Sequence, residues 1–189
     1  MKLGTKVAAV LAAVAVSYAA SAIEVLDFEG QSGYLQGTGY GGMGWNANAY
    51  AYSGTSGGYG VIGTQVLINA FEATYIDFWT LGDNFDVYEL DMIAAWYTEV
   101  TYRLDGWRDG GVVHSYDAVL DCFNVRTMTI NFTNIDAFSF TFVSSNYVEG
   151  YPGQGSGAHF AADNIKLVPA PAALSLLGLG VLGLRRRRR

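Results

Sequence analysis

Two acids on one short stretch, Asp27 and Glu29, and a third near the far end of the chain, Asp163, have types and spacing that suit metal chemistry. Residues two apart on a strand share a face, so Asp27 and Glu29 are expected side by side. If the first and last strands meet, all three carboxylates converge. Together with loop carbonyls they would suit Ca2+, which takes about six to eight oxygens. Asp163 has the phase of Ile165 and Leu167 and is therefore predicted to point inward. A buried carboxylate needs a partner. The alternative is that Asp163 caps a turn or accepts from backbone amides.

The other acids single out no pair for glycoside hydrolysis, which needs two carboxylates flanking one sugar bond. A serine triad is no better supported. His114 and Ser115 are neighbours on a strand and so face opposite ways. Gly155-Ser156-Gly157 is a glycine-rich loop without the sharp nucleophile turn of a hydrolase. His114 and His159 are the only histidines, and Cys122 is the only cysteine. An intramolecular disulfide and a cysteine metal cluster are thereby excluded. No catalytic residue is nominated.

Binding is the better-supported chemistry. Twelve of the thirty-four residues from 30 to 63 are glycine, interleaved with tyrosine and tryptophan. Exposed aromatic rings can stack on sugar faces while asparagines and acids bond the hydroxyls. Tyr40, Trp45, Tyr50, Tyr52 and Tyr59 are the candidate sugar-binding residues, with Tyr147 and Tyr151 from a later loop. The competing expectation is that these rings fill a core and pin glycine-rich loops.

These residues must be positioned by strands. Tyr88, Leu90, Met92, Ala94 and Trp96 recur with period two, and the phase continues through Val100, Tyr102 and Leu104. Met128, Ile130 and Phe132 alternate with polar residues, as do Phe138, Phe140 and Phe142. Such alternation predicts strands with one face in a core and the other in water. Asp109-Gly110-Gly111 predicts a hairpin between strands at 97–105 and 112–120. Asn134-Ile135-Asp136 joins two further strands, and short strands are expected near 44–52 and 61–70. The Asn131-Phe132-Thr133 sequon is read as strand sequence. Many short strands without helical periodicity predict an all-β, antiparallel jelly-roll-like sandwich.

The two ends differ from this body. Lys2 and Lys6, the apolar run Val7–Val16 and the small-residue site Ala20-Ser21-Ala22 have the layout of a secretory signal peptide. Cleavage after Ala22, with Ala20 also at the site, would leave a mature chain from Ile23. At the other end, Val168-Pro169-Ala170-Pro171 precedes thirteen mostly apolar residues, Ala172 to Leu184, and five arginines, Arg185, Arg186, Arg187, Arg188 and Arg189. As a helix the apolar stretch would cover about 20 Å, short of a bilayer core of roughly 30 Å. The arginines resist burial and fit a cytoplasmic end. The expected domains are residues 1–22, a signal helix; 23–167, the sandwich; and 168–189, a tail with a short hydrophobic helix.

Between the ends lie all seventeen acids but only Arg103, Arg108, Arg126 and Lys166, a balance of four minus seventeen, or −13. Such a body is a poor partner for nucleic acid phosphates. It remains soluble beside anionic polymers and can attract cations.

The proline motif, short apolar stretch and basic end resemble the PEP-CTERM sorting signal recognised by an exosortase. Ala170 stands where that family's motif usually has Glu. The body also resembles the jelly-roll domains found in front of such tails. The resemblance rests on the order of "DFEG", Gly41-Gly42-Met43-Gly44-Trp45-Asn46, "FDVYELDMIAAW" and "HFAADNIKL", and covers most of residues 24–167. It implies that the "DFEG" and "DNI" strands pair. It also implies Sec export, signal peptidase and exosortase-like processing, and transient inner-membrane residence. The destination would be the outer surface or extracellular matrix of a Gram-negative bacterium. It implies no settled activity.

Three readings follow. The first is an exported, non-catalytic surface or matrix protein associated with exopolysaccharide or biofilm. The second is a carbohydrate-binding module using aromatic loops, with a structural Ca2+ at Asp27, Glu29 and Asp163, an analogy at the level of the fold. The third is a polysaccharide-active enzyme.

Overall fold

Alternation in the sequence becomes a two-layer β-sandwich in the computed structural model, which describes residues 22–53, 63–146 and 158–169. The signal segment, Tyr59, Tyr147, Tyr151 and the tail from Ala170 onward lie outside the described residues, as do both expected flanking helices.

One sheet runs β10 (Arg126–Ile135), β7 (Phe85–Ala94), β12 (Phe160–Pro169), β5 (Gln65–Asn69), β4 (Ala49–Ser53), β2 (Gly33–Tyr34), and β1 (Glu24–Leu26) also pairs with β12. This is the seven-stranded sheet. The five-stranded sheet runs β3 (Met43–Trp45), β6 (Tyr75–Thr80), β11 (Ala137–Asn146), β8 (Glu99–Arg108), β9 (Gly111–Leu120). Every pairing is antiparallel. The "DFEG" and "DNI" segments do meet, with Glu24 opposite Leu167 and Leu26 opposite Ile165.

The inner faces carry the alternating apolar residues. Val100, Tyr102 and Leu104 of β8 face Met92, Ala94 and Phe160 of the other sheet in one buried cluster. Aromatic rings run along the five-stranded sheet, Trp45 to Phe78 at 4.9 Å and Phe78 to Phe138 at 5.4 Å, and join the layers where Phe78 meets Phe85 at 5.8 Å and Phe140 meets Phe160 at 5.0 Å. Gly106 sits on the inner face of β8, where an added Cβ would come within 2.9 Å of Ile135 and 3.0 Å of Phe132. The missing side chain lets the layers close at that point. The predicted hairpin is present. Asp109 and Gly110 both have positive φ, 52° and 76°, between Arg108 and its partner Gly111. That left-handed pair matches the right-handed twist of the strands it joins.

Three expectations need correction. The phase shared by residues 88–104 is two strands in two sheets, because the chain leaves β7 at Ala94 and enters β8 at Glu99. Within β7, both Val87 and Leu90 are buried while Tyr88 and Glu89 are half-buried, so the phase slips and Tyr88 is not core. The join expected at Asn134-Ile135-Asp136 is present, and Asp136 carries the chain from β10 in one sheet to β11 in the other. The hairpin strand predicted at 97–105 is β8, Glu99–Arg108.

Candidate functional site

The outer face of the five-stranded sheet is built by residues that alternate with the core. In β6, Ile76 and Phe78 point inward, leaving Tyr75, Asp77 and Trp79 on the outside. In β8, Leu104 and Tyr102 point inward, leaving Arg103, Asp105 and Trp107. Pairing through β11 aligns these into three rows. The first is Gly44, Trp79, Ala137, Trp107. The second is Asp77, Ser139, Asp105, Ser115. The third is Tyr75, Thr141, Arg103, Asp117.

The first row is aromatic. Trp79 and Trp107 are separated by one strand, hence by about 9.6 Å at the backbone. Gly44 is opposite Trp79, and a Cβ there would overlap the indole carbons and nitrogen. The ring therefore lies over the Gly44 backbone with its other side outward, 38% exposed. At this end of the row a cavity of about 370 Å3 opens between Trp79, Leu81 and the Gln36–Gly39 loop.

The second row is polar and pre-bonded. Trp107 Nε1 donates to Ser139 Oγ at 2.9 Å, and Ser115 Oγ donates to Asp105 Oδ1 at 2.5 Å. Asp77 accepts from the Tyr75 hydroxyl at 3.1 Å. Burial raises the Asp77 carboxyl above its ordinary range. The Tyr75 phenol is pushed up to about 12, first by burial and then by the Asp77 charge. Arg103 pairs with Asp117 at 2.8 Å and 3.1 Å at the open side of the third row. Ser139 and Asp105 are buried, so they fix Trp107 and Ser115 from beneath and leave Asp77, Arg103 and Asp117 as the polar groups at the surface. An apolar row beside such groups complements a sugar ring, which has an apolar C–H side and a polar edge.

The nominated aromatics are distributed differently. Trp45 is 2% exposed, its Nε1 donating to Tyr40 O at 3.0 Å, so it is core and no sugar platform. Tyr40 packs against that core and ties the first strand. Its hydroxyl accepts from Phe28 N at 2.7 Å and donates to Asp27 Oδ1 at 3.3 Å. Tyr50 and Tyr52 lie on the outer face of the seven-stranded sheet. Trp79, Trp107 and Tyr75 were not among the candidates. The "TYIDFWT" alternation of β6 is the signal for Tyr75 and Trp79, and the alternation of Arg103, Asp105 and Trp107 with Tyr102 and Leu104 is the signal for Trp107 on β8.

The three acids do come together, but not as expected. Ala162 is in the core between the sheets, so Asp163 projects to the outer side, next to Asp91 in register. Asn164 is the reason. Its φ of 51° forms a bulge that reverses the phase before Ile165. Asp163 is nonetheless 2% exposed. Burial, and then the charges of Asp27, Asp91 and Glu29, push its carboxyl up to about 7 against an Asn164 amide that lowers it. Glu29 accepts from the Thr64 amide at 3.1 Å, from the Thr64 hydroxyl and from Gln65 N at 3.4 Å, and Asp27 accepts from Glu29 N at 3.1 Å. Among the described residues no three histidine, cysteine or acidic side chains are arranged to hold a metal ion. An ion at this cluster would have to displace those backbone bonds.

Cys122 is buried. His114 stacks on Phe132 at 5.1 Å, which occupies it structurally. Among the described residues no helix is long and apolar enough to cross a membrane. Val168 and Pro169 of the tail motif belong to β12, opposite Asp86 and Phe85.

No family model and no curated protein matches the sequence. Solved structures with a similar course of the chain include a family 29 carbohydrate-binding module from Piromyces equi, at 10% identity and TM-score 0.42, covering 85% of this chain and 98% of the module. The family 11 carbohydrate-binding module of the cellulase Lic26A-Cel5E of Clostridium thermocellum matches at 18% identity and TM-score 0.43, covering 80% and 96%. An arabinose-bound α-L-arabinofuranosidase matches at 10% identity and TM-score 0.46 over 79% of this chain, which spans 27% of the enzyme. These likenesses concern the sandwich, and nothing about the site rests on them.

Proposed function

We propose that the protein is a non-catalytic carbohydrate-binding module that holds a neutral polysaccharide across the strands of its five-stranded sheet. The carrying observation is the Trp79 indole lying over Gly44, in one row with Trp107 and beside the acceptor Asp77. Trp79 and Trp107 stack on sugar rings, and Asp77, Arg103 and Asp117 bond hydroxyls. The balance of −13 between the two ends disfavours uronate polymers. Affinity electrophoresis of the full chain in gels containing hydroxyethyl cellulose, xylan, galactan or polygalacturonate tests this. Retardation by a neutral polymer, lost in Trp79→Ala with an unchanged circular dichroism spectrum, is the expected result. Folded protein that none of the four retards refutes it, and release of reducing ends would make the chain an enzyme instead.

Two further parts of this reading rest on sequence. The Ala20–Ala22 site and the Val168–Pro171 motif with its basic end support export and exosortase-like sorting to a cell surface or matrix. Terminal-peptide mass spectrometry of each cell fraction tests that. Ca2+ at Asp27, Glu29 and Asp163 rests on the types and spacing of the three acids in the sequence, and calorimetry with and without the ion tests it.

A further inference from the structure

We propose that the outer face of the seven-stranded sheet carries a second glycan site, so that one molecule bridges two polysaccharide chains. This rests on the carbohydrate reading of the first site. Strand register places Tyr34, Tyr50, Ile68, Ala161 and Ile93 in one row across β2, β4, β5, β12 and β7. Ala49 and Ala51 fill the core, so Tyr50 and Tyr52 between and beyond them face outward. Tyr34 and Tyr50 meet edge to face at 5.0 Å, and Tyr34 lies 6.5 Å from Phe71.

Phe71 is the unusual member. It is 88% exposed, with φ 49°, and Glu72 follows at φ 59°. Two successive left-handed residues with large side chains are strained. Strain of this kind persists only where the surroundings impose it, and here they do. Asn69 is fully buried. Its amide donates to Ala73 O at 2.8 Å and Ala158 O at 2.7 Å, and its Oδ1 accepts from Phe160 N at 3.0 Å. Ala70 N donates to Asn48 O at 2.8 Å. The fold thus clamps a short loop whose aromatic side chain, Phe71, is held in water.

Between Phe71, Tyr50, Tyr52, Ile68 and Ala70 lies an open cavity of about 220 Å3. Its size and chemistry point to the occupant. It falls below the roughly 300–1,000 Å3 of pockets for larger ligands. It holds about one sugar ring. The Tyr50 phenol supplies a hydrogen-bonding group, and the lining contains no cation, so an uncharged ring suits it. Tyr50 and Trp79 lie on outer faces of opposite sheets, so the two sites point away from each other.

The test uses full-chain protein with cellohexaose and xylohexaose in titration calorimetry, and with hydroxyethyl cellulose and xylan in viscometry. Phe71→Gly and Trp79→Ala are compared with wild type, since glycine accepts the left-handed backbone. Two sites per chain in the wild type, one in each variant, and a viscosity rise lost in both variants are expected. One site per chain, lost in Trp79→Ala and unaltered in Phe71→Gly, overturns the second site and leaves the first standing. Absence of binding at both sites overturns both. Self-association without sugar that Phe71→Gly abolishes makes the patch a contact between copies and also overturns it.

Discussion

The indole of Trp79 occupies the space that a side chain on Gly44 would fill. The pair joins β3 to β6 at the edge of the five-stranded sheet and turns a ring that could have tilted into a flat outward platform. Trp79→Ala should weaken polysaccharide binding about 10- to 100-fold, as for a central aromatic anchor. Gly44→Ala should lift the ring and weaken binding too, although it touches no ligand. Calorimetric titration of both variants checks this.

Trp45→Ala should behave oppositely. Trp45 packs on Phe78, Phe28 and Tyr40 in the core. Its removal should cost about 3–5 kcal/mol. Urea unfolding should show this loss, with binding retained by whatever fraction stays folded.

Phe71→Gly should stabilise the fold by up to about 1 kcal/mol, because glycine adopts positive φ without a clash. Little contact is lost, since the ring is mostly in water. A lower urea midpoint in the variant would mean that the ring supports the loop.

Asp163→Asn should stabilise the fold at pH 8 in EDTA by on the order of 2–4 kcal/mol, seen as a raised melting temperature, because it removes a buried charge facing Asp27, Asp91 and Glu29. Ca2+ should raise the wild-type melting temperature and not the variant's. If wild type is indifferent to Ca2+, no ion binds there.

His159 donates from Nδ1 to Asn69 O at 3.1 Å. Burial holds its imidazole below the ordinary value of 6.5, against the Asn69 carbonyl and the Glu72 charge, which raise it. Below about pH 6.5 the unfolded chain takes up a proton that the folded chain refuses. Stability is therefore fully present above that pH and falls as acid is added, until the folded state also protonates. His159→Gln should flatten that part of the melting profile.

The sandwich was legible because its long strands alternate, as with Phe138 and Phe140 or Leu104 and Tyr102. The seam between strands was not. Asn131, Asn134 and Asn164 have positive φ, and each left-handed residue shifts a phase that a period-two reading extends unbroken. That is why Asp163 was assigned the wrong side. The site was less legible for another reason. Trp45 and Trp79 are both tryptophans beside turn-rich sequence, and only pairing across strands tells that one faces Phe78 and the other water.

β12 is paired with β7 through Pro169, and on its other side with β5 at Ala161 and Ala162 and then with β1 from Ile165 to Leu167. Load applied at its C-terminal end acts along the strand, while the bonds holding it run across. Around Lys166 and Leu167 two ladders must shear nearly together, so a pull from that end meets both rows at once and the strand yields abruptly when they go.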